Sequence, residues 1–486
     1  MKNKAELILI VILLLTASFL RLYKIDRLTN FQYDQARDAL YTKRLVVDHK
    51  LRLIGPQASP GFYTGPAYYY LMAPFLFLSR LDPAGIDFGV AVFNIFAVLL
   101  LYFLLKKITN SSLISFALSF SYSVQPQVLW QSRFSWNPNL TPLFMLLFIL
   151  GFLLVSEKKS SGWMVSSISL GFLLQLHLST ACLIPMVLFF IFLQRKNKKI
   201  FDRWFFLSLG VFMIMMLPFL VIELRHDFPN LRNLYKFVTK GPDTNLPPPP
   251  LFQGIWEKLR FLFSILPLGI NKNLTSALVV AGTLIAFFYS VKKEKQKNKN
   301  LLVFYPVLFL ILMSVVYRGS FFQYYMTFLY PVTFLILGVI FSSFLKRQVH
   351  FLFLLILLPV IFLNIKKDLN IYKAGSTVGN PKSVAAIIAS DKEANVNFNI
   401  VGIRGDDRYD HNGVDYRYYL ETFYNKRALD WDIVDYQDSK ILYVVSNLGE
   451  IDPLKSNIWE IQLFNPKDLV DQWQLNENTV IYKLTN

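Results

Sequence analysis

The sequence predicts an α-helical polytopic membrane protein of about eleven spans, with a small α/β extracytoplasmic domain at its C-terminus. Three observations predict it. Hydrophobic residues make up 54% of the 486 and charged residues only 17%, whereas soluble domains carry about 25% charged residues. Uncharged runs near the ~20 residues a helix needs to cross the hydrocarbon core recur up to Ile365. Lys and Arg clusters fall on alternate loops between these runs, as the positive-inside rule requires. This composition excludes a disordered chain. A single cysteine, Cys182, excludes a disulfide-stapled scaffold.

The first run, Leu7–Leu20, is short. A signal peptide is the alternative, but no small-x-small cleavage site follows it. Arg21 and Lys24 can snorkel to the interface, so a retained anchor is expected. The next loop, 24–87, then lies outside. Inside it, Ala67–Leu81 is apolar and rich in tyrosine, which fits a helix lying along the outer interface. The spans that follow are Phe88–Leu105, Ile108–Ser132, Phe134–Ser156, two within Ser160–Gln194 with a turn near His177, Trp204–Ile222, Asn273–Val291, Leu301–Tyr317, Gly319–Leu345 and Gln348–Ile365.

The formal charge is +18. Its basic residues sit in short clusters (Lys106–Lys107, Lys158–Lys159, Arg195–Lys199, Lys292–Lys299, Lys346–Arg347). That pattern marks cytoplasmic loops, and no nucleic-acid partner is expected. It places the N-terminus inside and residues 367–486 outside the cytoplasmic membrane. Residues 1–366 form the membrane domain and 367–486 a separate one. In the tail, Asn397–Ile403 and Lys440–Ser446 read as strands, Ser383–Ser390 and Asp415–Tyr424 as helices. The acidic cluster Asp406–Asp410 reads as a solvated loop, favoured over a cation site. The run Pro247–Pro250 stiffens the outer loop 223–272 as polyproline II.

Polar chemistry gathers on the outer face. In Phe31–Ala39, a helix would set Asp34 and Asp38 one turn apart with Arg37 beside them. A carboxylate held near a cation can accept a proton from an attacking hydroxyl; the plainer account is an N-capping Asp with a surface ion pair. Arg225 and His226 stand at the outer end of one span, Arg318 with Tyr324 at another, and Arg133 with Asn137 at a third. Arg offers a planar fork that suits phosphate oxygens, although a headgroup anchor is the commoner role for each alone. His177 reads as a polar turn residue. There is no Walker loop, GxGxxG, HExxH or CxxC, so an activated group is expected to arrive on a lipid carrier.

The early outer Asp in Phe31–Ala39 and the Gly65-Pro66-Ala-Tyr-Tyr-Tyr-Leu segment resemble those of membrane-embedded GT-C glycosyltransferases. The likeness is to bacterial relatives of the protein O-mannosyltransferases and of the lipid A aminoarabinose transferase. It covers residues 1–365 in layout and is sharp at Phe31–Ala39 and Pro60–Leu71. It implies a GT-C fold, a polyprenyl-phosphate sugar as donor and a lipid, glycan or protein hydroxyl as acceptor, with inversion at the anomeric carbon. Asp34 matches the acceptor-activating base. Arg225, His226 and Arg318 become candidates for the donor phosphate, and Arg37, Asp38, Tyr63, Tyr69, Arg133, Asn137 and Tyr324 for substrate binding. Two departures stand out. Tyr63 and Thr64 occupy positions where the aminoarabinose transferases carry an acidic-basic pair, and Gln35 follows Asp34 where the mannosyltransferases often have Glu. No metal ligands are assigned, and a divalent metal stays open as cofactor. The competing readings are a lipid-linked sugar flippase, a polysaccharide polymerase or ligase, and a non-enzymatic scaffold. A flippase would place charges near the midplane of its spans.

Overall fold

The computed structural model describes residues 2–58, 61–196, 200–240, 250–263, 265, 272–292, 297–316, 322–344, 359, 361–366, 379–405 and 411–486. In chain order, helices α1 (Lys2–Leu22) and α2 (Tyr33–Val46) precede a hairpin of β1 (Gln57–Ala58) and β2 (Phe62–Tyr63). Then come α3 (Ala67–Leu78), α4 (Ala84–Thr109), α5 (Ser112–Ser123), α6 (Pro126–Gln131), α7 (Thr141–Ser156), α8 (Gly162–Leu176) and α9 (Leu183–Gln194). The series continues with α10 (Arg203–Arg225), α11 (Pro229–Lys240), α12 (Leu251–Phe263), α13 (Lys272–Lys292), α14 (Lys297–Val316) and α15 (Tyr330–Phe344).

Among the described residues, five helical stretches are long and apolar enough to cross a membrane: Lys4–Leu22, Ala84–Thr109, Asn137–Ser156, Arg203–Arg225 and Gln323–Ser342. Five shorter apolar helices accompany them, including Gly162–Leu176 and Leu178–Gln194 on either side of His177. The chain is a multi-pass membrane protein. The expected span Ile108–Ser132 is not one helix. It divides into α5 and α6 at Val124–Gln125, because Pro126 opens α6 and the Gln125 side chain accepts from Val128 N to cap it. At 12 residues, α5 is only about 18 Å long, well short of the ~30 Å hydrocarbon core. Most of the expected span Gln348–Ile365 lies outside the described residues.

The chain divides into two compact units: residues 1–25, 51–71 and 87–374, and residues 26–50, 72–86 and 375–486. In the first unit, α7 and α8 meet at small residues. A Cβ on Gly162 would run into the Gly151 carbonyl oxygen, and one on Gly151 into Ser166. Small residues let helix backbones approach closely where no hydrophobic force distinguishes lipid from protein. Arg21 departs from the expected snorkelling. It is fully buried, and its guanidinium donates to the Ser123 carbonyl at 3.2 Å and the Ser123 hydroxyl at 3.1 Å, tying α1 to α5.

The second unit is built on a four-stranded sheet of order β3-β4-β6-β5, with β3 (Phe398–Ile403), β4 (Ile441–Ser446), β5 (Asp468–Asn476) and β6 (Thr479–Thr485). β3 and β4 are parallel; β4–β6 and β5–β6 are antiparallel. β3, β4 and β6 are buried, whereas β5 is an exposed edge. The core runs through Val401, Leu442, Val444 and Tyr482. Helices α16 (Gly379–Ser390), α17 (Val414–Phe423), α18 (Ile433–Gln437) and α19 (Trp459–Phe464) cover the sheet. β3 and β4 and helices α16 and α17 fall where the sequence places them. The antiparallel edge β5–β6 was not foreseen, because β5 alternates little and faces solvent on both sides.

Candidate functional site

In the second unit, α2 carries Asp34, Arg37 and Asp38. Asp34 stands in the first turn, one position inside the helix, so the spacing i, i+3, i+4 brings all three side chains to one face. Arg37 bridges the two carboxylates, with Nη1 at 2.9 Å from Asp34 Oδ1 and Nε at 3.0 Å from Asp38 Oδ1. The Tyr33 ring lies 5.7 Å from its guanidinium carbon. Exposure separates the two acids. The Asp34 side chain is 33% accessible and that of Asp38 only 2%. Asp34 is thus the more open of the two carboxylates, and Arg37 with Asp38 fixes its orientation.

The helix bearing these residues is anchored by α17. Phe31 meets the edges of Tyr418 and Tyr419 at 5.2 and 5.6 Å, and Asn412 donates to the Tyr33 hydroxyl at 3.4 Å. Two turns on, Arg44 forks onto Glu421 at 2.8 and 3.1 Å, and Lys43 reaches the same carboxylate at 3.2 Å. All three side chains are more than nine-tenths buried. Asp48 adds to Lys43 at 3.1 Å and Asp430 to Arg44 at 3.4 Å. Burial pushes the Glu421 carboxyl up, but the hydrogen bonds and charge of Arg44, then of Lys43, outweigh it and hold the group below the usual carboxylate range. Nothing in the sequence flags Glu421, which is 377 residues from Arg44.

In the first unit, several of the sequence candidates gather around the C-terminus of α8. Gly65 N donates to Gln175 O at 3.0 Å, and a Cβ at Gly65 would strike the Gln175 side chain. Only glycine permits that approach. Asn137 donates to Leu176 O. His177 caps the turn that follows, its Nδ1 taking the Ser179 N–H at 3.3 Å, while the Ser179 hydroxyl donates to Tyr325 O at 2.7 Å. Tyr324 packs against Trp136 at 4.5 Å and edge-on to His177 at 5.8 Å.

Tyr63 sits on β2, whose backbone is held by α11: Tyr63 N donates to Asn230 Oδ1 at 2.7 Å, and Asn233 donates to Gly61 O at 2.8 Å. The Glu223 carboxylate caps α11 through Asn230 N and Leu231 N, at 3.0 and 3.2 Å. Arg225 and His226 are exposed at the end of α10, where a ligand can meet them. Arg133 is committed differently. Its guanidinium donates to the carbonyls of Leu20, Arg21 and Tyr23 at 2.7–2.9 Å, closing the C-terminus of α1. Tyr69 is fully buried against Tyr68. Arg318 and the Asp406–Asp410 cluster lie outside the described residues. Among the described residues, no three His, Cys, Asp or Glu side chains group so as to hold a metal.

Comparison with solved structures places this architecture. The crystal structure of ArnT from Cupriavidus metallidurans bound to undecaprenyl phosphate matches 98% of the chain and 97% of its own, with a TM-score of 0.61 at 13% identity. The arabinofuranosyltransferase AftD from Mycobacteria matches 99% of the chain with a TM-score of 0.55 at 12% identity, and the match spans 41% of AftD. A family model for dolichyl-phosphate-mannose-protein mannosyltransferase matches residues 63–222. The chain shares the fold of these two solved structures. By sequence alone, no curated protein matches it. The matched segment runs from Tyr63 on β2 to Ile222 in the last turn of α10 and so includes Asn137 and His177 but stops short of Arg225 and His226.

Proposed function

We propose that this GT-C protein is a membrane glycosyltransferase that moves a sugar from a polyprenyl-phosphate donor to an acceptor hydroxyl on the outer face of the cytoplasmic membrane. The observation that carries the reading is the partly exposed Asp34 held by Arg37 against the buried Asp38, on a chain whose fold is that of glycosyltransferases. Support for the lipid carrier comes from the undecaprenyl phosphate in the ArnT structure.

In this mechanism Asp34 takes the proton of the acceptor hydroxyl as its oxygen attacks the anomeric carbon. The new C–O bond forms while the bond to the lipid phosphate breaks, and the electron pair leaves on the phosphate oxygen. A phosphate-linked sugar is already activated, so the remaining need is to neutralise the departing charge. Arg225, His226 and Arg318 are the proposed groups for this, since preorganised cations stabilise charge as it develops. A base within hydrogen-bond reach contributes about 10²–10⁴-fold. Inversion follows from the single displacement.

The experiment is donor turnover by the purified protein in lipid nanodiscs, using a panel of polyprenyl-phosphate-linked hexoses and pentoses with extracted membrane lipids and glycans as acceptors. The expected result is protein-dependent release of free polyprenyl phosphate with one donor. No release with any donor contradicts the reading.

A further inference from the structure

Helix α11 carries three faces with three different fates. Asn230 and Asn233 hold the β1–β2 hairpin. Leu231, Leu234 and Tyr235 follow at i, i+3 and i+4 and form an apolar strip that is 59%, 49% and 69% exposed. Arg232 and Lys236 line the remaining side, both exposed. The charges facing them are Asp227, which stands 3.7 Å from Arg232 in a largely open pair, and Glu223, whose carboxylate is engaged by the α11 N-terminus.

Chain geometry says what covers the strip. Only His226, Asp227 and Phe228 separate α11 from α10, one of the helices long and apolar enough to cross the bilayer. Three residues reach about 10 Å at most, so α11 starts at the rim of that crossing. The turn itself is tight: Asp227 and Phe228 have φ of 55° and 59°, and Phe228 N donates to Glu223 O at 2.6 Å. α10 exposes Leu217 and Leu224, and the apolar exposure continues through Phe228 into Leu231. A helix with an apolar strip beside a basic one lies in the plane of a membrane surface, and its cations attract anionic headgroups.

We infer that α11 lies in the headgroup layer of the leaflet where α10 ends, with Leu231, Leu234 and Tyr235 toward the acyl chains and Arg232 and Lys236 bound to the phosphates of anionic lipids. The helix thereby fixes the hairpin carrying Tyr63 at a set depth through Asn230 and Asn233. This inference stands independently of the proposed sugar transfer.

The test uses the full-length chain in nanodiscs, with a nitroxide at Leu234→Cys or Lys236→Cys and the buried Cys182 replaced by Ser. Power-saturation EPR compares contact with oxygen, which partitions into lipid, and with a water-soluble nickel chelate. The expected result is that the 234 label favours oxygen several-fold and the 236 label favours nickel. The 234 label is further expected to move deeper when phosphatidylcholine discs are exchanged for phosphatidylglycerol discs, a shift that Arg232→Gln with Lys236→Gln removes. Equal nickel access at 234 and 236 overturns the membrane placement. Shielding of 234 from both relaxants, with spin–spin broadening between copies, overturns it in favour of a second copy of the chain. A depth indifferent to lipid charge overturns the role of Arg232 and Lys236.

Discussion

Replacing Glu421 with alanine removes the carboxylate that Lys43 and Arg44 share. Both cations are more than 90% buried, so the variant strands two charges away from water. Breaking a buried pair by removing one partner costs about 3–5 kcal/mol. Here Asp48 remains on Lys43 and Asp430 on Arg44, which argues for the low end, about 3 kcal/mol. At roughly 2–4 °C per kcal/mol for a unit of this size, the unfolding transition should fall by about 6–12 °C. The assay is the thermal transition of the detergent-solubilised protein, scanned at one rate because membrane proteins of this size unfold irreversibly. Trp431, 6.3 Å from Tyr41 of α2, reports on this unit. The control is Lys455→Ala, which breaks the open Asp452–Lys455 pair and should leave the transition in place. A Glu421→Ala shift no larger than that of Lys455→Ala refutes the claim that this buried network holds α2.

The same carboxylate sets a pH dependence. Glu421 is held below the ordinary carboxylate range, so its stabilisation is present above the unfolded pKa near 4.3 and is lost as pH falls through the lower folded value; the gap between wild type and Glu421→Ala should narrow below about pH 4 in melts across pH. Gly162→Ala should destabilise by about 1–3 kcal/mol, since its Cβ meets the Gly151 backbone. Gly210→Ala, with nothing within 4 Å of its Cβ, should be stabilising by about 0.5–1 kcal/mol; equal effects in thermal melts would contradict the close α7–α8 approach. Arg225→Ala should raise the apparent KM for the lipid-linked donor by about tenfold, the worth of a charge-assisted hydrogen bond, while leaving the acceptor KM unchanged; initial-rate kinetics decide it.

Patterns with a local cause could be read from the chain. Apolar length places α4, α10 and the helix pair around His177, because a bilayer demands ~20 residues whatever their neighbours. Period and β-branching place β3 and β4. The Asp34–Arg37–Asp38 face follows from helical spacing alone. What the sequence hides depends on partners distant in the chain. Arg21 reads as a snorkelling anchor but is buried on Ser123, and Arg133 reads as a ligand but closes α1. Neither fate leaves a trace in neighbouring residues. The division of Ile108–Ser132 had a visible signal in Pro126, outweighed by the uniform apolarity of the run. Asn230 and Asn233 fall in what reads only as the outer loop 223–272, and their hold on the hairpin depends on a partner about 170 residues away.

The most direct measurement is the rate of donor turnover by Asp34→Asn in nanodiscs, with Asp38→Asn beside it and correct folding checked by the Trp431 transition. If Asp34 accepts the acceptor proton, its amide variant keeps the wild-type transition and loses about 10²–10⁴-fold in rate, whereas an acceptor-independent step such as donor binding is unchanged. Turnover by folded Asp34→Asn at near the wild-type rate would contradict the account.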